Sequence, residues 1–435
     1  MMKKTEINEL SSVVGSEVLV RGFVDSIRDQ KNAIFMVMRD CDAKVQIFVQ
    51  KIEENNYLLS LIKSLTPESV IEVCGILNSN TYVKLNGYEI IPSSINILSI
   101  SAKPLPIDDT AVLQDRLDWR FLDLRKPKNL LIFRMQTLME MAMREYFINN
   151  KFIEIHSPKI IGAASESGAE LFSVKYFNTT AYLAQSPQFY KQMAMAAGFD
   201  KVFEIGPVFR ANPSFTSRHD TEFTSIDAEI SWVESHEDVM ALEESWLAYT
   251  MEKIKIQLGD TIKEVFGVEI IVPSLPFPRI DMKEALEIVK ATGHVIPLEY
   301  EGELDPDGER ILYEYVKTNL NHEFMFVTGY PKSIRPFYHM RNADGTTKSF
   351  DLLFKGLEVT TGAQREHRVE ILSAQAVEKK IPLESIGFYL DFFRYGVPPH
   401  GGFGFGLTRM LMLLLGLKNV REVTYLYRGP NRLFP

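Results

Sequence analysis

Cysteine is nearly absent: the 435 residues include only Cys41 and Cys74. Two thiols cannot build a disulfide framework or a four-ligand zinc cluster, and the scarcity fits a reducing compartment. Long apolar runs are missing as well. The richest candidate, Met410 to Leu417, is far too short to span a bilayer, and MMKKTEINEL lacks a hydrophobic signal core. The expectation is a cytoplasmic protein with no membrane partner. Positive charge is not in excess either: 48 Lys+Arg face 57 Asp+Glu, a net charge of -9. That argues against indiscriminate nucleic-acid binding and still permits a local basic patch. What is plentiful is core material, 46% hydrophobic residues in a chain long enough for two or three domains.

The first hundred residues read as five strands, 17–28, 33–39, 44–50, 69–77 and 87–98, with a helix over 51–65 between the third and fourth. That order predicts a five-stranded OB-fold barrel, a fold that binds single-stranded nucleic acid on its second and third strands. Alternation puts Ile34, Met36 and Met38 on one face and Phe35 on the other; Val45, Ile47 and Val49 oppose Gln46 and Phe48. An outward aromatic beside an amide suits base stacking. Packing under a loop or against another domain explains the same pattern equally well. SAKPLPIDD is rich in proline and reads as a linker. The division is therefore 1–103 for the barrel, 104–127 for a linker and 128–435 for a larger α+β domain, with an inserted subdomain near 255–340. In the larger domain 129–150 is a strong amphipathic helix. Strands follow at FIEIHSPKII, 181–186, 201–210, 223–233, 324–331, 348–362 and 421–427. They do not alternate with helices, so an antiparallel sheet flanked by helices is expected. Asp281 and Glu284 have the spacing of a helix capping box.

Three stretches could carry chemistry. HGGFGFGLTRM (400–410) is a glycine-rich run before an apolar helix, and Arg409 sits at the helix start. The plain alternative is a turn whose glycines permit close packing. Residues 202–231 read as two strands joined by a polar loop. Arg210 ends the first strand, Arg218 and His219 lie in the loop, and Phe223 begins the return. Arginine forks suit phosphate, and an aromatic suits a flat base; a solvated hairpin tip is the ordinary reading. In 349–368 a turn near Phe354, Lys355 and Gly356 would bring Asp351 across from Glu358. Two converging carboxylates call for a cation, and Mg²⁺ bridged to phosphates is the natural one; separate surface salt bridges are the ordinary reading of this stretch alone.

Together these stretches resemble the class II aminoacyl-tRNA synthetases, specifically the aspartyl-tRNA synthetases of the short archaeal and eukaryotic type, over nearly the whole chain. The matching features are the barrel, a helix–strand–Pro158 segment like motif 1, FR-x-x-loop-x-x-RH-x-x-EF like motif 2, and G-x-G-x-G-x-x-R like motif 3. PPHGGFGFG, FRYG and the terminal RGPNRLFP are also similar. The resemblance implies that L-aspartate is activated by ATP and passed to tRNA(Asp), in a homodimer, and it leaves open whether tRNA(Asn) is a further acceptor.

Residue roles follow from the same resemblance. Arg210 matches the arginine on the ATP α-phosphate and substrate carboxylate, and Arg218 and His219 match loop residues near the γ-phosphate. Asp220 belongs to the same ATP strip. Phe223 matches the ring on adenine, and Gly406 and Arg409 match motif 3. Asp351 and Glu358 match the Mg²⁺–ATP carboxylates, with Thr361 where serine is usual. Lys191 and Arg365 match the pair that grips the aspartate side chain, in what would be a doubly cationic pocket. Glu166, Gln188 and Asp227 complete the aspartate site. Arg28, Phe35 and Gln46 match anticodon-reading positions. Two departures stand out: FRAN puts Asn212 where a glutamate is usual, and Thr408 precedes Arg409 in place of glutamate. The barrel surface near Asp25 and Arg28 also lacks a tryptophan found in some strict relatives. The competing expectations are an asparaginyl-tRNA synthetase and a catalytically silent RNA-binding paralogue.

Overall fold

The computed structural model describes residues 4–163, 171–213 and 216–435. The chain divides into two compact units, Met1–Leu130 and Leu131–Pro435. In the first, strands β1 (Glu17–Asp29), β2 (Ala33–Arg39) and β3 (Lys44–Gln50), helix α1 (Asn56–Ser64), and strands β4 (Val70–Ser79) and β5 (Tyr88–Ser99) follow in chain order. The strands close into a barrel in the order β1-β2-β3-β5-β4. Ile34, Met36, Met38, Val45, Ile47 and Val49 all point into its core, as the two-residue alternation requires. Residues 104–127 differ from the expected linker. They form two short helices, α2 (Leu113–Asp118) and α3 (Arg120–Asp123), and group with the barrel unit. The cause is Asp123, fully buried, which draws in Arg116 at 2.9 Å, Arg120 at 2.6 Å and the Asn129 amide at 2.9 Å. Proline content alone does not reveal such an ion cluster.

Helix α4 (Pro127–Asn149) leads into the second unit. Its further elements are β6 (Ile153–Glu154), β7 (Ile160–Ile161), β8 (Ser173–Tyr176), β9 (Thr179–Leu183), α5 (Gln188–Ala196), β10 (Lys201–Phe209), β11 (Glu222–Ser231), α6 (His236–Phe266), β12 (Arg279–Asp281), α7 (Met282–Ala291), α8 (Pro306–Leu320), β13 (Phe324–Thr328), β14 (Ser349–Phe354), β15 (Leu357–Gln364), α9 (Val369–Glu378), α10 (Gly387–Arg394), β16 (His400–Gly406), α11 (Leu407–Leu414) and α12 (Val420–Val423). An eight-stranded sheet runs β12-β13-β14-β15-β16-β11-β10-β6. It is antiparallel except at its edges, where β12 joins β13 and β6 joins β10 in parallel. A separate three-stranded sheet has the order β7-β9-β8.

One face of the large sheet is a packed core. Phe403 and Phe405 of β16 meet Trp246 of α6 with ring centroids 5.4 and 5.2 Å apart, and Trp246 stacks on Phe147 of α4 at 5.2 Å. Offset and edge contacts of this kind add to the area each ring buries. The alternation in GGFGFG has its reason here: the phenylalanines face the helices and the glycines face the other side.

Four local expectations change. FIEIHSPKII makes only the two-residue strands β6 and β7, in different sheets, because Pro158 between them cannot donate to a ladder. REVTYLY is not a strand; α12 forms instead, capped by the Asn419 side chain on the Arg421 N–H. Asp281 does cap α7, through the Lys283 N–H, while the reciprocal capping box belongs to Ser235 and Asp238 at the start of α6. Residues 255–340 are knit into the large sheet through β12 and β13. Among the described residues no helix is long and apolar enough to cross a membrane.

Candidate active site

The open face of the sheet carries one lateral row of directly paired residues: Asp351 of β14, Thr361 of β15, Gly404 of β16, Asp227 of β11 and Glu204 of β10. The glycine at its centre leaves the floor clear. A Cβ on Gly404 would lie 3.1 Å from Asp227 Oδ2, and one on Gly402 would lie 2.2 Å from Glu229 Oε2. The glycines of HGGFGFG therefore make room for two acidic side chains on the neighbouring strand. A cavity of about 340 Å³ opens over this floor. Gln188, Arg210, Asn212, Arg218, His219, Asp220, Phe223, Asp227, Glu358, Thr361, Arg365, Gly406 and Arg409 line it. Lys191 and Asp351 are not among the residues that line it. Glu166 lies outside the described residues.

At one end of the cavity four charges are buried together. Lys191, on α5, reaches Asp227 at 2.8 Å and Glu229 at 3.4 Å, and donates to the Phe403 carbonyl at 2.9 Å. Arg365 donates to Glu229 at 3.0 and 3.4 Å and to the Gly402 carbonyl at 2.8 Å. None of the four is more than 4% exposed. The expected doubly cationic pocket is thus balanced by two carboxylates, because bare cations at that depth would be costly. Glu229 is absent from the sequence-based site. Its signal was present: in FTSIDAEIS it shares the face of Phe223, Ser225 and Asp227.

At the other end the ion pairs are longer, although Arg409 also donates to the Glu358 carbonyl at 2.9 Å. Arg210 lies over the Phe223 ring at 5.4 Å. Arg218 is 3.6 Å from Glu309 of α8, and Arg409 is 3.4 Å from the Glu358 carboxylate. His219 is pushed down to about 4, first by burial and then by Arg409, Arg218 and Arg210. Burial raises Asp220 to about 7 against the pull of Thr408 and Arg409. The C-terminal segment braces this loop: Tyr427 donates to the His219 carbonyl at 3.2 Å and Arg421 to the Thr216 carbonyl at 3.2 Å.

Asp351 and Glu358 are brought together, though not directly opposite each other. The β14–β15 turn is Lys355-Gly356, with φ of 49° and 77°, the signature of a two-residue hairpin loop. Asp351 faces Thr361, and Glu358 faces Leu353, because a bulge intervenes between Leu352 and Leu353. A spacing of three normally separates two strand residues onto opposite faces; the bulge returns Glu358 to the face of Thr361. Thr361 Oγ1 donates to Glu358 Oε1 at 2.9 Å. Among the described residues the buried Asp351 Oδ1 has no hydrogen-bond partner, while Oδ2 accepts from Arg335 at 2.7 Å. Burial and the neighbouring Glu358 raise the Asp351 carboxyl against Arg335. For Glu358 burial also raises, but Arg409 and the Thr361 hydrogen bond outweigh it and hold the group low. Two carboxylates and a hydroxyl form a hard oxygen set suited to Mg²⁺.

In the barrel unit, Arg28, Phe35 and Gln46 also converge. Arg28 pairs with Phe35 across β1 and β2 and lies over its ring at 5.8 Å. Arg28 donates to the Gln46 carbonyl at 3.3 Å, and the Gln46 amide donates to Glu89 at 2.7 Å. Gln46 is consequently buried, where alternation alone predicts an outward residue. Phe35 is half-buried against Phe48, with centroids 5.4 Å apart.

The chain is similar to known proteins over its whole length. Residues 113–428 match the family described as tRNA synthetases class II (D, K and N), and residues 18–98 match the OB-fold nucleic acid binding domain. The aspartate–tRNA(Asp) ligase of Pyrococcus furiosus is 42% identical over 442 residues, covering 100% of both chains. The aspartate–tRNA(Asp/Asn) ligase of Methanopyrus kandleri is 42% identical, over 97% of this chain and 96% of its own. Among solved structures, asparaginyl-tRNA synthetase from Pyrococcus horikoshii with asparaginyl-adenylate aligns with a TM-score of 0.91 at 30% identity, covering 100% of both chains. Aspartyl-tRNA synthetase from Entamoeba histolytica gives 0.88 at 32% identity, over 100% of this chain and 93% of its own.

Proposed function

The chain belongs to the class II tRNA synthetases, and we propose on that premise that it joins L-aspartate to tRNA through an aspartyl-adenylate, as a homodimer. The observation that carries the amino-acid choice is the buried Lys191–Arg365 pair. Their two carboxylate partners neutralise both cations, so the charges of the pocket are balanced. A substrate side-chain carboxylate displaces part of that pairing and is itself matched by two donors. Neutral asparagine cannot repay the exchange. This favours aspartate over asparagine despite the structural likeness to an asparaginyl enzyme.

In the reaction an oxygen of the substrate α-carboxylate attacks the α-phosphorus of ATP in line, the bond to the bridging oxygen breaks, and pyrophosphate leaves. Arg210 steadies the α-phosphate and the attacking carboxylate. Phe223 and Arg409 enclose the adenine from opposite sides, and Asn212 meets its edge without charge. Arg218 and His219 face the γ-phosphate, and Asp220 fixes the loop that carries them. Gly406 lets the nucleotide approach the strand. Gln188 and Asp227 order the substrate ammonium. The catalytic contribution is positioning and charge neutralisation, with no protein nucleophile. Asp351, Glu358 and Thr361 would hold Mg²⁺, which when bound offsets phosphate charge. In the second step the tRNA 3′-terminal hydroxyl takes the aspartyl group and AMP leaves. Arg28, Phe35 and Gln46 read the anticodon, Phe35 by stacking.

The test is aspartate-dependent exchange of pyrophosphate into ATP, followed by charging of tRNA(Asp) and tRNA(Asn) transcripts. Exchange with aspartate and not asparagine is expected, with charging of tRNA(Asp). Absence of exchange with any amino acid would leave only a silent RNA-binding role. Charging of tRNA(Asn) as well would place the enzyme with relatives that accept both.

A further inference from the structure

Behind Gln188 runs a chain of hydrogen bonds whose direction is set at its far end. His400 opens β16 and is fully buried; its Nδ1 lies 2.8 Å from the Pro398 carbonyl oxygen. A carbonyl only accepts, so Nδ1 carries the hydrogen. Burial pushes the imidazole down to about 4, which leaves the ring neutral and Nε2 a bare acceptor. Gln192 Nε2, 3.0 Å away, must then donate to it. That turns the Gln192 carbonyl the other way, where it accepts from Tyr389 Oη at 3.1 Å and from Gln188 Nε2 at 2.9 Å. The tyrosine hydroxyl, raised well above its ordinary range by burial, keeps its proton and serves as a second fixed donor.

One donor–acceptor assignment thus satisfies every link. It commits the Gln188 amide nitrogen to Gln192. Gln188 lines the cavity and is 5% exposed, and among the described residues nothing donates to its Oε1. We propose that Gln192, Tyr389 and His400 are positioning residues that hold the Gln188 amide with its carbonyl oxygen turned into the cavity, where it accepts from the substrate α-ammonium. The proposal rests on the aspartate reading of the cavity. A reversed amide would present two N–H groups to an ammonium, which has no lone pair to receive them. Gln188 therefore reads the ammonium only while the three residues behind it hold their order.

The experiment compares L-aspartate with succinate, which lacks the ammonium, by calorimetric titration of the full chain. Gln192→Met should weaken L-aspartate about tenfold, the order expected for a hydrogen bond to a charged group, and leave succinate unchanged. Tyr389→Phe, which removes one oxygen, should shift the ratio in the same direction by less, and it carries the test if Gln192→Met does not fold. Equal weakening of both ligands would show a merely structural role and overturn the proposal. Unchanged affinity for both would do the same. A wild-type protein that binds succinate but not L-aspartate would defeat the aspartate reading, and with it the role of Gln188.

Discussion

The two ends of the cavity are built on different terms. Lys191, Arg365, Asp227 and Glu229 are almost wholly buried and hold one another. Arg218 and Arg409 keep side chains 27% and 24% exposed, and their ion pairs are long, 3.6 and 3.4 Å. In the proposed function the buried end takes the amino acid, and its charges are paired before substrate arrives. The other end, proposed for the nucleotide, has its charges on a loop and a helix start, with longer ion pairs and with Arg409 hydrogen-bonded to the Glu358 carbonyl at 2.9 Å. Selectivity needs the first arrangement, since a fixed buried pair punishes the wrong side chain. In the proposed reaction, a triphosphate that enters and a pyrophosphate that leaves are better served by the second.

The comparison breaks most visibly at Arg365. Arg365→Met leaves Glu229 with only the longer contact to Lys191, an uncompensated buried charge. Breaking such a pair costs about 3–5 kcal/mol. Urea unfolding should show that loss, and aspartate-dependent exchange should vanish. Arg210→Ala probes the other end. Exchange should slow by about 10²–10³-fold, yet the urea midpoint should hold, because Arg210 is exposed and its described contact is the Phe223 ring. If the two variants lose equal stability, the contrast between the ends is wrong.

A smaller effect is expected in the barrel. Phe35→Ala should weaken tRNA by about 1–3 kcal/mol, the worth of one stacked base, seen as a raised KM in charging. Pyrophosphate exchange, which needs no tRNA, should be untouched.

Much of this was legible in the sequence, and the failures have two causes. Strands β2 and β3 fall on the predicted bounds because two-residue alternation is a local signal. Arg210, Phe223 and Arg409 could be placed because motif spacing is also local. The pairing of Glu229 with two cations and the burial of Gln46 by Glu89 depend on chain segments remote in sequence. The bulge at Leu352–Leu353 and the clasp of Asp123 are local, but a one-residue register shift and a side-chain ion cluster leave no periodic pattern to read. Arg335, which ion-pairs Asp351, comes from a region read as a mere insertion. Charge balance in a buried site is a property of the fold, and residue types alone suggest cations without their partners.

The smallest effect on turnover should come from Glu243, which sharpens the same point about buried acids. Glu229 and Glu243 are both fully buried, on opposite sides of the sheet. Glu229 has two cations. Glu243, on α6 near Thr360, has no ion-pair partner among the described residues, and burial raises it from 4.5 to about 8. The native state therefore keeps a proton that the unfolded chain gives up above about 4.5. Between those values the unfolded state binds fewer protons, so stability falls as pH rises from about 4.5 to about 8 and then levels. Glu243→Gln copies the protonated shape without titrating. Its urea midpoint should approach that of wild type near pH 4 and exceed it increasingly toward pH 8.5, while exchange activity at neutral pH stays the same. A constant difference between the two proteins at every pH would mean that Glu243 is charged in the native state, and that a buried acid here needs no cation after all.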